Sequence, residues 1–512
     1  MLTDDDPKID RAARAFEAAL EAEVKKFSPE HFAAALLAYS RPYRDAKQIQ
    51  WALPFRLAHA IEANCAYMRG HRDLQMLPRH YAAVINVFVD HEDEGPSALM
   101  PSGLGLFFLN LHRQQIEIQR SFRRQDFARY FRLFVLSESM SPLNDWLIRE
   151  KGITCADWMK AAFGAFALAG EELQPVTILP EAIDRRISVR PEALEFYLST
   201  ASSTPKAIGC RYRERWDKTP PRYYSMIRSV FFDQPLIQYD SDRYFAPFPS
   251  LLFHHAGMGL YSLLLRAPDF NNAFAGAFEN YVGFLLREIP AASVYTESQL
   301  GGYTVSKRCD FIVETSSEII CIEAKATVFN RNIIIDETIP KDTSTVCLSG
   351  AVEQLRQSAR DLSQGLFQRL GLTSKGKPVY LLAVTFGDIA FVNAPWYLST
   401  YIDPITQNAV GTTHDASQSD SATPILLAID DLEILIRLLR SGDTSLAALI
   451  AEREISSFEK VGDWDLYLSK QIQSAKSADA LLPGAIGDWD AFSNEILPDV
   501  VDGYGQPRRQ SG

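Results

Sequence analysis

The chain is organised around the stretch DFIVETSSEIICIEAK, residues 310–325. It contains two apolar runs rich in β-branched residues, separated by a polar turn at 316–317, and this pattern predicts two short strands. A tight turn makes such strands antiparallel neighbours, so the start of the first lies beside the end of the second. We therefore expect Asp310 to lie close to Glu323 and Lys325.

The second of these strands ends in charged residues. Side chains alternate between the two faces of a sheet, so Glu323 and Lys325 share one face and Ala324 faces away, with its carbonyl available to a metal ion at the rim. Two carboxylates and an ammonium are costly in an apolar core but suit a metal site, because carboxylates are hard oxygen ligands for magnesium. Phosphodiester hydrolysis needs such cations, an activated water and a donor that holds it in line.

A helix is predicted on each side of this pair of strands. At about 100° per residue, the helix at 272–288 places Glu279 at the edge of an apolar face, from which it can reach over the sheet. The helix at 349–364 places Gln354 at the edge of its own apolar face in the same way. The order of elements becomes α-β-β-β-α-β once two further predicted strands are included, at 294–300 and 379–384.

This arrangement resembles the PD-(D/E)xK nuclease superfamily, also called the restriction-endonuclease-like fold, over residues 272–386. The resemblance implies that Asp310 and Glu323 ligate catalytic metal ions and that Glu279 assists them. It implies that Lys325 orients or deprotonates the attacking water, and that the cofactor is Mg²⁺ or Mn²⁺.

Two positions need comment against the pattern of that family. Cys309 stands where the family usually has a proline before the aspartate. Gln354 matches a glutamine that some branches carry on the following helix, although Gln357 is close by and no tyrosine follows at the spacing of the recombination nucleases. Acidic-x-Lys triplets are common by themselves, so the resemblance rests on the combination of helix, strands and charged residues.

The remaining sequence predicts four segments. We expect an α/β nuclease core with a central mixed sheet flanked by helices, a large mainly α-helical N-terminal region and a small helical C-terminal region. The middle connecting region contains a predicted hairpin near 235–245 and a helix near 249–265. The segments are a helical N-terminal domain at 1–172, a mixed connecting region at 173–270, the nuclease-like core at 271–400, and a linker with C-terminal helices at 401–512.

Two segments are rich in arginine and aromatic residues. Residues 206–228 contain seven basic and two acidic residues; this composition suits phosphate contact and base stacking, and it suits a solvated segment with core aromatics equally well. For residues 112–132 an amphipathic helix packed on the N-terminal bundle is favoured. The candidate nucleic-acid contacts are Arg211, Arg213, Arg215, Trp216 and Arg222, with Lys307 and Arg308 just before Asp310.

Composition limits the classes of protein to which the chain can belong. The 512 residues carry a net charge of −12, so contact with nucleic acid must use local basic patches. No apolar run reaches the roughly 18–20 residues that span a bilayer, and residues 1–6 are acidic where a signal peptide is basic. The sequence has no CxxC, HExxH or Walker motif. We expect a cytoplasmic protein without a membrane partner.

These observations predict a Mg²⁺-dependent endonuclease, with DNA favoured over RNA as the substrate. The family resemblance places such nucleases in prokaryotic antiviral defence or mobile-element biology, and a separate protein partner or a homo-oligomer is compatible with it. Two alternatives stay open: a catalytically inactive nucleic-acid-binding or scaffold protein on a nuclease fold, and an RNase with the same site.

Overall fold

The structure is a computed structural model, and it describes most but not all of the chain. The described residues are 7–44, 53–67, 74–90, 123–168, 176–184, 187–219, 228–302, 307–328, 343–373, 376–387, 393, 398–402, 423–442, 444–455, 464–474 and 482–496. The segment predicted as a linker falls largely at 403–422, outside these residues.

Helices form most of the regular structure. They are α1 (Pro7–Val24), α2 (Pro29–Arg44), α3 (Leu53–Ala66), α4 (Pro78–Asp90), α5 (Arg124–Phe131), α6 (Ser141–Lys151), α7 (Cys155–Ala167), α8 (Pro180–Asp184), α9 (Pro191–Ala201), α10 (Pro205–Lys218), α11 (Pro249–Leu264), α12 (Phe270–Leu286), α13 (Glu297–Leu300), α14 (Thr343–Ser363), α15 (Ile429–Arg440), α16 (Leu446–Ile455), α17 (Trp464–Ser474) and α18 (Pro483–Ile496). Short 3₁₀ or π turns lie at Arg132–Leu136, Glu138–Met140, Val230–Phe232, Gln368–Leu370 and Leu398–Ile402.

Nine strands in the described residues form two sheets. The strands are β1 (Val176–Ile178), β2 (Ser202–Ser203), β3 (Leu236–Gln238), β4 (Tyr244–Ala246), β5 (Ser293–Thr296), β6 (Phe311–Glu314), β7 (Ile319–Lys325), β8 (Val379–Thr385) and β9 (Ile425–Ala428). The protein is therefore of the α/β class, with far more helix than strand.

The chain divides into two compact units that are not consecutive in sequence. The sequence suggested four consecutive segments, but residues 123–143 group with the part of the chain after Pro268, and β9 extends the second sheet beyond residue 400. The first unit comprises Met1–Phe122, Asn144–Ala267 and Asp490–Gly512, and the second comprises Arg123–Leu143 and Pro268–Trp489.

The first unit is mainly helical and contains the smaller sheet, in the order β1-β4-β3-β2. The hairpin predicted near 235–245 is confirmed as β3 and β4, in which Ile237 pairs with Phe245. The predicted helix near 249–265 is confirmed as α11, which begins with Pro249 at its first turn, where a missing N–H costs nothing.

The second unit is built on the sheet β5-β6-β7-β8-β9. The strands β5, β6 and β7 are antiparallel to one another, whereas β8 and β9 run parallel to β7. A parallel connection needs a crossover, and α14 lies between β7 and β8 in sequence. The central strand β7 is buried on both faces over 319–323, which explains its continuous apolar sequence.

Helix α12 packs against β7 and directs one face to the core of this unit. The apolar face predicted for this helix is confirmed: Phe274, Phe278, Tyr281, Val282, Leu285 and Ile289 are all buried. Gly283 lets the helix approach the sheet closely, because a Cβ at this position would lie 2.9 Å from the ring of Phe311. Glu279 lies on this helix, and its charge acts on Asp310.

The turn between β6 and β7 also holds a later helix. Glu318 is buried in this turn, and its two carboxylate oxygens accept hydrogen bonds from the backbone N–H groups of Leu446 and Ala447, each at 3.0 Å. These groups belong to the first turn of α16, where backbone N–H groups have no partner within the helix. No helix among the described residues is long and apolar enough to cross a lipid bilayer.

Candidate active site

The antiparallel register of β6 and β7 brings Asp310 beside Glu323. Phe311 pairs with Ile322, so the preceding and following residues stand opposite each other across the two strands. The backbone N–H of Asp310 donates to Glu323 Oε2 at 3.2 Å, and the N–H of Ala324 donates to Asp310 Oδ2 at 2.7 Å. Each carboxylate is thus held by the backbone of the neighbouring strand at the same end of the sheet.

Lys325 and Gln354 complete this group. The Lys325 ammonium donates to Glu323 Oε1 and, at 3.2 Å, to Gln354 Oε1. Gln354 lies on α14, and its Nε2 donates in turn to the backbone carbonyl of Arg308 at 3.2 Å. The side chains of Glu323, Lys325 and Gln354 are therefore linked by hydrogen bonds, and Asp310 is linked to Glu323 through its backbone N–H.

Burial and like charge raise the pKa of both carboxyls. Burial raises the pKa of Glu323 to about 8, with the negative charge of Asp310 adding to the effect and the Lys325 ammonium opposing it. Burial likewise raises the pKa of Asp310 to about 6, where the Ala324 N–H opposes the shift and the charge of Glu279 adds to it. Glu323 is therefore harder to ionise than an exposed glutamate, and a further positive charge would favour its ionised form.

The charge of Glu279 acts on Asp310 from the helix α12. Glu279 is half-buried, and burial raises its pKa, with the charge of Glu297 adding to the shift and Lys325 opposing it. The oxygens of Glu279, Asp310 and Glu323 do not all lie within 4.8 Å of one another. Among the described residues, those of Asp126, Asp430 and Glu433 do. The structure thus holds Asp310 and Glu323 together and places Glu279 where its charge acts on Asp310.

Glu297 is a neighbour of the site that the sequence analysis missed. Its backbone N–H donates to the carbonyl of Asp310 at 2.7 Å, which continues the ladder in which Thr296 pairs with Phe311. The strand predicted for 294–300 in fact ends at Thr296, where a capping box of Thr296 and Gln299 begins α13. The pattern Thr-x-x-Gln is a helix start signal and could have revealed this turn.

The two basic residues before Asp310 differ in their surroundings. Lys307 is exposed. Arg308 is half-buried, and its Nη1 donates to the carbonyl of Leu300 at 3.0 Å, at the end of α13. The guanidinium predicted to contact phosphate is thus engaged in holding the short helix that begins with Glu297.

The basic segment of α10 is engaged with the rest of the first unit. Trp216 is 3 % exposed, stacks on Tyr212 with ring centroids 5.6 Å apart, and donates its Nε1 to Glu17 at 2.9 Å. This packing favours the interpretation of the segment as a helix with core aromatics. The arginines donate within the unit: Arg211 to Gln234, Arg213 to the Ala66 carbonyl, and Arg215 to the Arg228 carbonyl and Asp233. Arg222 lies outside the described residues.

A second acidic cluster lies in the same unit as the candidate site. Oxygens of Asp126, Asp430 and Glu433 lie within 4.8 Å of one another, a spacing that could hold a metal ion. The guanidinium of Arg129, which is 2 % exposed, forms ion pairs with all three, and Arg123 pairs with two of them. With the charge of Arg437, which also interacts with Glu433 and Asp126, the chain supplies three guanidinium groups to the three carboxylates.

Comparison with known proteins identifies no relative. No family model matches the chain, and neither a curated protein nor a solved structure matches it.

Proposed function

We propose that the protein is a metal-dependent phosphodiesterase of the PD-(D/E)xK type, with DNA as its substrate. The observation that carries the proposal is the group of Asp310, Glu323 and Lys325 at one end of a mixed sheet. Support comes also from the order of elements around it, since α12 precedes β5, β6 and β7, and α14 precedes β8. That order and these residues are the ones on which the family resemblance rests.

The donor set fits a hard divalent cation such as Mg²⁺ or Mn²⁺. Asp310 and Glu323 offer carboxylate oxygens from adjacent strands, and we expect the Ala324 carbonyl and Glu279 to add further oxygens. Burial is the main cause of the raised pKa of Glu323, about 8, and the charge of Asp310 adds to it, so a bound cation would favour the ionised carboxylate. When bound, the cation supplies Lewis-acid stabilisation of the phosphate and of the leaving oxygen.

Lys325 acts on the nucleophilic water, and Gln354 holds Lys325 in place. Lys325 already donates to Glu323 and Gln354, so its direction is fixed by two acceptors on different elements. An ammonium held in this way orients a water for in-line attack and stabilises the negative charge that develops on it. Gln354 holds the ammonium and is itself held by the Arg308 carbonyl.

A digest panel tests the proposal. Single- and double-stranded DNA and RNA are incubated with the protein in Mg²⁺, Mn²⁺ or EDTA, alongside Asp310→Ala, Glu323→Ala and Lys325→Ala. We expect cleavage of DNA that needs the cation and is abolished in each variant, while Glu314→Ala, at the other end of β6, keeps it. Cleavage of RNA alone would identify an RNase with the same site.

Persistence of activity in the three variants would show that a contaminating nuclease is responsible. Binding of nucleic acid without cleavage by the wild-type protein, in every cation tested, would favour the alternative of an inactive binding or scaffold protein.

A further inference from the structure

Helix α14 reaches the backbone just before Asp310 with two side chains. Gln354 Nε2 donates to the carbonyl of Arg308 at 3.2 Å, and Ser358 Oγ accepts from the N–H of Cys309 at 2.8 Å. Positions four apart lie above one another on a helix face, so Gln354 and Ser358 hydrogen-bond to the backbone of consecutive residues. The sequence analysis identified Gln354 as a candidate but not Ser358.

The hydroxyl of Ser358 is placed where water cannot substitute for it. Both Ser358 and Cys309 are fully buried. The hydroxyl also donates to the carbonyl of Gln354, at 3.0 Å, so its one proton is directed along the helix and a lone pair is left for the Cys309 N–H. Removing the hydroxyl would deprive a buried N–H of this partner, which is more costly than losing an exposed hydrogen bond.

The next residue along the chain is Asp310. Its N–H donates to Glu323 and its carboxylate accepts from Ala324, so a shift of the segment at 308–309 is transmitted directly to the pair of carboxylates. We infer that Ser358 is a positioning residue, which sets Asp310 against Glu323 through the backbone of Cys309. The inference rests on the proposed function, because it gives Ser358 a role in the geometry of the cation site.

The experiment compares Ser358→Ala with Ser40→Ala. Ser40 is also fully buried and donates its Oγ to a helix carbonyl, that of Leu37 at 2.7 Å, but it lies on α2 in the first unit. Each variant is assayed for kcat and KM on the DNA that the wild-type protein cleaves. Binding of Mn²⁺ without DNA is measured by calorimetry, and Tm by circular dichroism.

We expect Ser358→Ala to lower kcat and to weaken Mn²⁺ binding by about tenfold or more, as is usual for groups that hold metal ligands in place. KM for DNA should stay unchanged, since Ser358 does not contact the substrate. Ser40→Ala should lower Tm comparably and leave kcat and Mn²⁺ affinity at wild-type values. Equal kcat and equal Mn²⁺ affinity in wild type and Ser358→Ala would overturn the inference and leave the nuclease proposal intact.

A second variant covers the case in which Ser358→Ala does not fold. Ser358→Cys keeps the size of the side chain but has a weak donor and a weak acceptor in place of the hydroxyl. We expect a smaller loss of kcat and of Mn²⁺ affinity in the same direction, whereas wild-type values for both would overturn the inference. If the wild-type protein neither cleaves nor binds Mn²⁺, the proposed function itself fails, and the role of Ser358 fails with it.

Discussion

Two acidic clusters in the second unit differ in the source of their positive charge. Around Arg129, three carboxylates form ion pairs with two guanidinium groups, and the charge of a third, Arg437, interacts with Glu433 and Asp126. The ion pairs of Arg129 reach residues 301 and 304 positions away in sequence. At the ends of β6 and β7, the Lys325 ammonium pairs with Glu323 and acts electrostatically on Asp310, and the charges of Glu279 and Glu297 oppose the ionisation of Asp310. The folded chain itself supplies the positive charge that balances the first cluster, whereas a cation from solution would stabilise the ionised carboxylates of the second.

The largest expected effect breaks the first cluster. Arg129→Met leaves three carboxylates without their central partner, and we expect the free energy of unfolding to fall by about 3–5 kcal/mol. Urea denaturation followed by circular dichroism measures the change. Lys218→Met is the control, because Lys218 pairs with Glu214 on the exposed face of α10 and its loss should cost at most about 0.5 kcal/mol.

The same variant tests whether the first cluster is purely structural. We expect Mg²⁺ to leave the stability of Arg129→Met unrestored. Full recovery in Mg²⁺ would mean that these three carboxylates bind a metal ion, and the contrast between the two clusters would disappear.

The second prediction concerns how the ionisation of Glu323 makes the free energy of unfolding depend on pH. Because the pKa of Glu323 is raised in the folded state to about 8, its contribution to stability is present below about pH 4.5 and is lost as the pH rises through 8. In EDTA we expect the free energy of unfolding to fall by on the order of 3 kcal/mol from this group between pH 5 and pH 8. Glu323→Gln should flatten that decline, and Glu314→Gln should not.

If the free energy of unfolding fell equally with pH in wild type and Glu323→Gln, Glu323 would not titrate between pH 5 and pH 8. The contrast between a compensated and an uncompensated cluster would then lose its electrostatic basis.

The third prediction links cation binding to the same protons. Metal ions bind the ionised carboxylates, so the raised pKa values of Asp310 and Glu323, about 6 and about 8, make binding compete with protonation. We expect Mn²⁺ affinity to rise between pH 6 and pH 8 by up to about tenfold per pH unit for each proton displaced. Calorimetry in two buffers with different ionisation enthalpies counts the protons released. A pH-independent affinity would contradict the assignment of the site.

The smallest expected effect tests whether Glu297 influences the cation site. Removing the charge of Glu297 should lower the pKa of Asp310, so that Mn²⁺ binding begins at a lower pH in Glu297→Gln. The change in affinity should stay below about tenfold, because Glu297 is exposed and its charge is screened by solvent. Glu181→Gln is a matched control, since Glu181 is also exposed in the first turn of a short helix. A response shared by both variants would reflect net charge alone.

The centre of the second sheet was predictable because local patterns determine it. The apolar runs and the turn at 316–317 predict β6 and β7, and the antiparallel pairing that follows brings Asp310 to Glu323, as the structure confirms. The period of the apolar faces predicted both ends of α12 to within two residues and the end of α14 to within one, whereas α14 begins six residues before its predicted start. Gln354 at the edge of its face does contact Lys325.

Long-range partners were not predictable from one sequence. The arginines near residue 129 looked like one face of an amphipathic helix, and nothing local indicated that their partners lie on α15. Strand β9 has only four residues, too few for an alternating pattern to distinguish it from the helix that follows. The hydrogen bond from Arg308 to the Leu300 carbonyl was not predictable either, because the sequence shows a charge but not its partner.

The contact between Glu318 and α16 limits how the site can be isolated for experiments. A fragment cut at residue 400, where the sequence placed the end of the core, would lack the two N–H groups that this buried carboxylate binds. Such a fragment would also lose β9 from the edge of the sheet. Expression boundaries for a minimal protein should therefore extend past Ala447, so that the loop joining the two acidic strands keeps its anchor.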